Sequence, residues 1–305
     1  MIMGFIDQMR AKGHAVESIC RVLRQEGCQI AARTYRAWRR RSASARDTSD
    51  AVLLNVLHDL VGTPEGLYGR RKMTAWLRRE GHQVGAGRVD RLMRVAGMNG
   101  VRRGRPVRTT VPAKDGCRAG DLLNRDFTAA APNTKWVADF TYVRTWAGFV
   151  YVAFVLDCYS QRILAWHAAT AKTTPLVLTP LRIALWDRDR HGHPVQPGEL
   201  IAHSDAGSQY TSLRFAEHLA AEGIAASIGT VADAYDNALM ECVIGLYKTE
   251  CITTTIFHNG PYKTIADVEY ATAGWVEWYN NRRLHSSLAM TTPAEYETAY
   301  YAALN

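Results

Sequence analysis

Asp139, Asp205 and Glu241 are the residues whose type and surroundings most favour catalytic chemistry. Asp139 interrupts a run of strand-forming residues, where aspartate is disfavoured and therefore needs a reason. Asp205 directly follows a short apolar run, and Glu241 lies in a stretch with helical spacing. Ligation by carboxylate oxygens alone suits Mg²⁺ or Mn²⁺ better than zinc. Acids that converge from two strands and a helix could hold two such ions about 4 Å apart, an arrangement that supports phosphoryl transfer.

Each of these acids also has a simpler explanation. Asp139 could cap the end of a strand, Asp205 could lie in an ordinary turn, and Glu241 could face solvent on a helix. Paired carboxylates also serve glycosidases, so the acids alone leave the substrate open. Lys248 follows Glu241 by seven positions, which places both residues on the same helix face.

The elements around these acids predict a mixed α/β domain. Apolar or alternating runs predict five strands, at 136–144, 149–157, 163–169, 200–204 and 226–228. Helical spacing predicts helices at 175–188, 212–222, 237–250 and 265–279. Three consecutive strands followed by alternating helices and strands indicate a mixed five-stranded sheet with flanking helices. Asp205 would then lie at the carboxyl end of a strand, a usual location for a site in such a sheet.

Charge is divided unevenly along the 305-residue chain. Residues 1–125 hold 25 Lys and Arg against 11 Asp and Glu, whereas residues 126–305 hold 12 against 18. A basic front half suggests contact with nucleic acid, although a solvated basic surface would give the same excess. The longest apolar run, at 149–156, spans eight residues, whereas a membrane helix needs about 20. The first residues do not resemble a secretory signal, so we expect a soluble, cytoplasmic, nucleoid-associated protein without a membrane partner.

Cysteines and histidines give little indication of a zinc site. The six cysteines are scattered without a CxxC pair, which argues against a zinc knuckle and against a disulfide framework. His191 and His193 form an HxH pair, but the glycine and proline around them indicate a loop.

Residues 1–45 have the pattern of a helix-turn-helix DNA-binding domain. Two short helices are predicted within 16–41, around a break at Gly27. The second helix could lie in a major groove, and its predicted DNA contacts are Arg33, Arg36, Arg39 and Arg40. A helical hairpin with a solvated arginine face would look much the same.

A second helix-turn-helix-like domain is predicted at 46–105. A linker at 42–50 precedes a helix at 51–61 and a helix pair at 68–81 and 88–97. The residues predicted to face inward are Met73, Trp76, Leu77, Val89, Leu92, Met93 and Val95. The predicted DNA contacts of this domain are Arg70, Arg71, Arg88, Arg91, Arg102, Arg103 and Arg105. A basic linker at 106–130 would follow DNA phosphates or simply tether the domains.

Several blocks of sequence resemble the transposases of insertion-sequence family three, specifically the protein from the second reading frame. The matching blocks are Tyr68 to Arg71, Arg88 to Met93, Pro132 to Tyr142, His203 to Tyr210, Tyr235 to Glu241 followed by Lys248, and Tyr279 to His285. The most specific feature is the interval of 35 residues between Asp205 and Glu241. The resemblance therefore covers nearly the whole chain.

The resemblance implies an α/β ribonuclease-H-like catalytic core at 131–255, preceded by all-α domains and followed by a helical extension at 256–305. It implies a DDE transposase whose catalytic and metal-binding residues are Asp139, Asp205 and Glu241, with two Mg²⁺ or Mn²⁺ ions. Lys248 would contact DNA near the reacting end, and a surface salt bridge is its simpler explanation. The substrates would be double-stranded terminal inverted repeats and target DNA, joined by transfer of a 3′-hydroxyl.

The resemblance also leaves alternatives open. Joining two DNA ends needs at least two protomers, so we expect a homo-oligomer. No long leucine heptad run typical of a first-frame protein is visible, so the chain could need fusion to, or partnering by, that protein. A catalytically inactive DNA-binding regulator is the main alternative function. A general ribonuclease would share the fold, whereas a tyrosine recombinase would usually need an HxxR motif, which none of the ten histidines provides.

Three further acids compete for a place in the site. Asp157 is predicted to be a turn residue, and Asp236 is predicted to have a local structural or DNA-proximal role. Asp233 is the third competing acid.

Overall fold

The structure is a computed structural model that describes residues 2–40, 43–102, 122–123, 126–205, 207, 209–228 and 237–304. Contacts divide the chain into two compact units, Met1–Val56 and Leu57–Asn305. The predicted basic linker at 106–130 lies largely outside the described residues, as do Arg103 and Arg105. The predicted domain boundaries stay predictions.

The first unit is helical. It comprises α1 (Ile2–Ala11), α2 (Val16–Gln25), α3 (Ala32–Arg40) and most of α4 (Ala45–Asp59). Its core is formed by Ile6, Ile19, Cys20, Ile30 and Tyr35. The predicted pair of helices around Gly27 is present as α2 and α3, whereas α1 was not predicted.

The linker predicted at 42–50 is wrong, because α4 already begins at Ala45. Ser44 and Asp47 explain the early start. The Ser44 Oγ accepts a hydrogen bond from the Asp47 amide at 3.1 Å, and the Asp47 carboxylate accepts one from the Ser44 amide at 3.0 Å. This reciprocal pairing is a capping box, which satisfies amides that would otherwise be unpaired at a helix start.

The second unit begins with a helix pair. A short 3₁₀ turn at Pro64–Leu67 precedes α5 (Arg70–Arg79) and α6 (Ala86–Val95). Five of the residues predicted to face inward are buried, namely Met73, Leu77, Val89, Leu92 and Met93. Val95 was wrongly included, because it is 66% exposed at the last position of α6.

The sheet of the second unit contains five strands. They are β1 (Lys135–Thr145), β2 (Gly148–Asp157), β3 (Ile163–Ala169), β4 (Ile201–Ser204) and β5 (Ala225–Ile228), in the spatial order β3-β2-β1-β4-β5. β1, β2 and β3 pair antiparallel, whereas β1, β4 and β5 pair parallel. This confirms the predicted mixed five-stranded sheet.

Helices cover both faces of this sheet. The helices that follow β3 are α7 (Thr174–Arg190), α8 (Leu213–Ala221), α9 (Ala238–Leu246), α10 (Ile265–Asn281) and α11 (Pro293–Ala302), and α9 continues into a π-helical turn at Tyr247–Ile252. On one face Trp136 and Val155 pack with Leu181 and Phe215. On the other face Phe154 contacts Tyr247 and Trp275, with ring centroids 5.1 and 6.1 Å away.

The carboxyl-terminal helices are tied to the rest of the second unit by polar contacts. The Asn280 amide accepts a hydrogen bond from the Ile163 N–H at 2.9 Å and donates one to the Ile163 carbonyl at 2.8 Å. The Tyr68 hydroxyl accepts from the Leu284 amide at 3.0 Å, and Trp278 donates to Glu65 at 2.9 Å. Strand β3 and the helix pair are therefore both fixed to the segment that contains α10. None of the described helices has the length and apolar character needed to cross a membrane.

Candidate active site

Strand register brings Asp139 and Asp205 to neighbouring positions. β1 and β4 are parallel, and their last paired residues are Ala138 and Ser204. Asp139 and Asp205 directly follow that pair, and in-register residues of parallel strands project from the same face. Asp139 is half-buried and Asp205 is exposed. The Asp139 carboxylate accepts a hydrogen bond from the Phe140 amide at 2.7 Å.

Glu241 approaches from α9, whose start is fixed to β1 by a side chain. The buried Asn237 precedes the first residue of α9 and donates from Nδ2 to the Ala138 carbonyl at 3.3 Å. Ala138 is the residue before Asp139, so this bond anchors the helix start beside the acidic strand position. Glu241 lies one turn further along the helix and is exposed. Its placement therefore depends on a contact between α9 and β1.

The three carboxylates affect one another's ionisation. Burial and the neighbouring charges of Asp205 and Glu241 raise the pKa of Asp139 well above its ordinary value, against the opposing effects of the Phe140 amide and Lys248. Partial burial and the charge of Asp205 also raise the pKa of Glu241. A neighbouring like charge disfavours the ionised form of a carboxylate and so raises its pKa. Two strands and a helix thus bring the three predicted acids into one neighbourhood.

The described residues nevertheless contain no group of three His, Cys, Asp or Glu side chains that could hold a metal ion together. The three acids are close enough to repel one another, but they are not arranged as a complete ligand set in this structure. Asp233 and Asp236 lie outside the described residues.

Lys248 is the cation associated with this neighbourhood. It lies on the π-helical turn that continues α9, and such turns are frequent at functional sites. Burial lowers its pKa, while the charge of Asp139 acts in the opposite direction. Its Nζ lies 4.8 Å from the centroid of the Tyr142 ring. A partly desolvated ammonium group therefore stands near both Asp139 and an exposed aromatic ring of β1.

Two residues near the acids were not given a role from the sequence. The Tyr210 hydroxyl is buried without a hydrogen-bond partner among the described residues, and burial together with the charges of Asp139 and Asp205 raises the Tyr210 pKa. His203 is buried on β4, and its Nδ1 lies 2.8 Å from the Ser227 Oγ on β5. Both belong to the block His203 to Tyr210, so their proximity to Asp205 in sequence was the available signal.

Asp157 has a structural role. Its carboxylate accepts hydrogen bonds from the amides of Tyr159 and Ser160 at 2.9 and 3.1 Å, and from the Asn133 amide at 2.8 Å. These bonds close the turn after β2, which is the role predicted for Asp157. Arg188 lies 3.7 Å from the same carboxylate.

The HxH pair is engaged in other contacts. His193 stacks on Tyr301 with centroids 3.6 Å apart, and His191 lies 3.3 Å from Asp187.

The predicted DNA-binding arginines occupy several surfaces. On α3 the four arginines are exposed, and Arg36 pairs with Glu17. In the second unit Arg70, Arg71 and Arg102 are exposed, whereas Arg88 and Arg91 are half-buried. Contact of these residues with DNA stays a prediction.

Three family models together match almost the entire second unit. A family model described as an integrase core domain matches residues 129–234, and a second model with the same description matches residues 222–293. A model described as an HTH-like domain matches residues 52–106. The first two matches contain the three acids.

Curated relatives span the same region. A putative transposase for insertion sequence element IS986/IS6110 from Mycobacterium tuberculosis (strain ATCC 25177 / H37Ra) is 45% identical over 273 residues, which are 90% of this chain and 96% of the relative. A transposase for insertion sequence element IS629 from Shigella sonnei is 45% identical over 261 residues, 86% of this chain and 84% of the relative. Among solved structures, the HTLV-2 integrase catalytic core domain in complex with magnesium is 16% identical, covering 55% of this chain and 98% of that chain with a TM-score of 0.41.

Proposed function

Because the chain belongs to the insertion-sequence transposases with an integrase core domain, we propose that it cleaves DNA at the ends of its element and transfers a 3′-hydroxyl to a target strand. The proposed catalytic residues are Asp139, Asp205 and Glu241. The observation that carries the proposal is the parallel register of β1 with β4, which places Asp139 and Asp205 directly after the paired residues Ala138 and Ser204. The start of α9, the helix that carries Glu241, is hydrogen-bonded to Ala138 on the same strand.

The chemistry of these side chains fits a hard divalent cation. All three offer carboxylate oxygens, which are the ligands that Mg²⁺ and Mn²⁺ prefer. We propose that the acids hold two such ions, which relieve their mutual repulsion and draw them together. When bound, the ions would activate the attacking hydroxyl and stabilise the charge on the departing oxygen.

The chain's own groups would position the acids and the DNA. The Phe140 amide holds the Asp139 carboxylate by a 2.7 Å hydrogen bond. Asn237 holds the start of α9, and thereby Glu241, against β1. Lys248 would contact a phosphate next to the reacting bond as a point charge. The arginines of α3, α5 and α6 would supply most of the affinity for duplex DNA.

A cleavage assay on a duplex that carries the element's terminal repeat tests this proposal. Wild-type protein should nick the end only with Mg²⁺ or Mn²⁺. Asp139→Asn should lower the rate by roughly a thousandfold or more, because the bound metal contributes several kcal/mol to the transition state. Glu217→Gln is a matched control, since Glu217 is exposed on α8, and it should cleave normally. Undiminished metal-dependent cleavage by Asp139→Asn would overturn the assignment.

A DNA-binding regulator without catalysis is the second candidate function. It is favoured by the exposed arginines of α3 and α5, which could hold DNA whether or not the acids cleave it. A regulator would bind the terminal repeat as tightly as an active transposase would, yet wild-type protein and Asp139→Asn would be equally inactive with metal. Repeating the assay with the first-frame protein added would reveal an enzyme that needs this partner.

Two protomers are expected in the active assembly, one at each DNA end.

A further inference from the structure

We propose that the β1–β2 hairpin forms a binding surface for unpaired DNA bases beside the catalytic acids. The surface, which we name the hairpin strip, consists of Tyr142, Arg144, Trp146, Phe149, Lys248 and Lys263. The inference rests on the proposed function, because it specifies the form of DNA that the same site receives, namely a duplex end whose last bases have separated.

The aromatic side chains of the hairpin strip are unusually exposed. Trp146 is 73% exposed, Phe149 is 50% exposed and Tyr142 is 47% exposed. Tyr142 lies on β1, Trp146 lies in the turn that follows it, and Phe149 lies on β2. Along β1, the buried Val143 and Thr145 alternate with the exposed Tyr142 and Arg144, so this part of the strand has one covered face and one open face. A contiguous exposed apolar patch on a protein surface indicates a binding site more often than chance exposure does.

Cations accompany these rings. The Lys248 Nζ lies 4.8 Å from the Tyr142 ring centroid, and the Lys263 Nζ lies 5.5 Å from the Trp146 ring centroid. Arg144 is exposed on the strand between the two rings. Aromatic faces that stack bases, together with cations that meet phosphates, are what a single nucleic-acid strand requires. An apolar partner protein would not need the three cations.

The hairpin strip is held in place before any ligand binds. The amides of Trp146 and Ala147 donate to the carbonyls of Tyr262 and Lys263, each at 3.0 Å. The Tyr142 and Phe149 rings meet edge to face with centroids 5.3 Å apart. Stacking on rings whose backbone is already fixed loses less conformational entropy than stacking on a mobile loop.

The position of the hairpin strip relative to the acids suggests what it does. Tyr142 and Asp139 are three residues apart on β1, so their side chains leave the strand on opposite faces. Lys248 links the two positions, because its Nζ lies 4.8 Å from the Tyr142 ring centroid and its charge acts on Asp139. β4 pairs with β1 only up to Ala138, so that edge of β1 has no β4 partner from Asp139 onwards. Separating terminal base pairs costs a few kcal/mol, and stacking on the hairpin strip would offset that cost. The strand end could then reach the acids.

Binding of two end-labelled DNAs, measured by fluorescence anisotropy without divalent metal, tests the inference. Both carry the terminal repeat and have equal length and charge, but one has three mismatched bases at its end. Wild-type protein should bind the mismatched DNA more tightly. Trp146→Ala should weaken that binding by roughly 5- to 100-fold and change binding of the paired DNA less than about 2-fold, given the usual energy of one base–aromatic stack. Trp146→Phe, which keeps a ring, should retain most of the preference.

Trp186→Ala is the matched control. Trp186 is 58% exposed on α7, and the Arg190 guanidinium lies 5.2 Å from its ring centroid. Like Trp146, it is therefore an exposed tryptophan in contact with a cation, but it lies outside the hairpin strip. It should leave both affinities unchanged. Equal affinity of wild-type protein for the two DNAs would overturn the inference, as would an equal loss on both DNAs in Trp146→Ala. Unchanged DNA binding with lost self-association in Trp146→Ala would also overturn it and indicate a protein contact.

The outcome is separable from that of the proposed function. Cleavage with metal that is abolished by Asp139→Asn, without any preference for mismatched ends, would leave the transposase proposal standing and reject the hairpin strip. The opposite result is also possible: the protein prefers mismatched ends, Trp146→Ala removes that preference, and no cleavage occurs with metal. That result would support the hairpin strip and reject the catalytic proposal.

Discussion

Replacing Glu250 by glutamine should destabilise the second unit strongly. Glu250 lies on the π-helical turn two residues after Lys248 and receives two hydrogen bonds from Arg283, at 2.9 and 2.6 Å. Both side chains are about 95% buried. Trp275 donates a further bond to the Glu250 carboxylate at 3.4 Å. The substitution keeps the shape of the side chain but leaves the Arg283 charge buried without a counter-charge.

The magnitude follows from burial and from what remains around Arg283. Removing one member of a buried ion pair costs about 3–5 kcal/mol. The rings of Trp278 and Tyr279, each 5.7 Å from the guanidinium, would recover up to about 1 kcal/mol through cation–π attraction. We therefore expect a loss of about 3 kcal/mol in the free energy of unfolding, which corresponds to a decrease in Tm of roughly 6–12 °C for a unit of this size.

Urea denaturation followed by tryptophan fluorescence would measure this loss. The matched control is Asp90→Asn, which breaks the Asp90–Arg94 pair of α6, where the two side chains are 30% and 72% exposed. Exposed pairs contribute less than about 1 kcal/mol, so the control should remain close to the wild type. A loss for Glu250→Gln no larger than that of Asp90→Asn would refute the expectation that the buried Glu250–Arg283 pair stabilises the second unit.

Two further predictions concern pH and catalysis. Burial, and to a smaller extent the charge of Arg283, lowers the pKa of Lys72 to about 7 in the folded protein. Between pH 7 and about 10.5 the Lys72 amine is therefore protonated only in the unfolded chain. The free energy of unfolding should rise with pH across this window. The rise should amount to about 3 kcal/mol after allowance for partial exposure, and Lys72→Met should remove it. The check is the difference between the urea midpoints at pH 7 and pH 10. The same difference in Lys72→Met as in the wild type would contradict the prediction. Asn237→Ala should lower the rate of strand cleavage roughly five- to tenfold, from the loss of one hydrogen bond to β1. DNA affinity should stay unchanged in gel-shift titrations, and a proportional loss of affinity would count against a positioning role for Asn237.

The sequence predicted the sheet well because its strands have strong local patterns. The apolar run at 149–156 falls within β2, and the carboxylate predicted to follow the fourth strand does so at Asp205. The linker at 42–50 was mispredicted because its serines and aspartates suggest a loop, although Ser44 and Asp47 form the cap that starts α4. α11 was missed although Thr292 and Glu295 form a capping box at its start.

The sequence indicated which residues form the candidate site but not how the fold brings them together. That Asp139 and Asp205 lie on adjacent strands depends on the parallel pairing of β1 with β4, which joins segments about 65 residues apart. The buried pairs of Glu250 with Arg283, and of Arg188 with Glu297, likewise join distant segments. Local spacing cannot indicate such pairings. The sequence did not predict the hairpin strip either, because Lys248 and Lys263 are far from β1 along the chain.

The central claim is that three acids from two strands and a helix share divalent metal ions. Anomalous diffraction at a manganese-sensitive wavelength, from crystals grown with Mn²⁺ and a terminal-repeat duplex, measures this directly. We expect anomalous peaks within about 2.0–2.3 Å of carboxylate oxygens of Asp139, Asp205 and Glu241. Peaks bound by other residues, or acids that remain apart with both metal and DNA present, would contradict the claim.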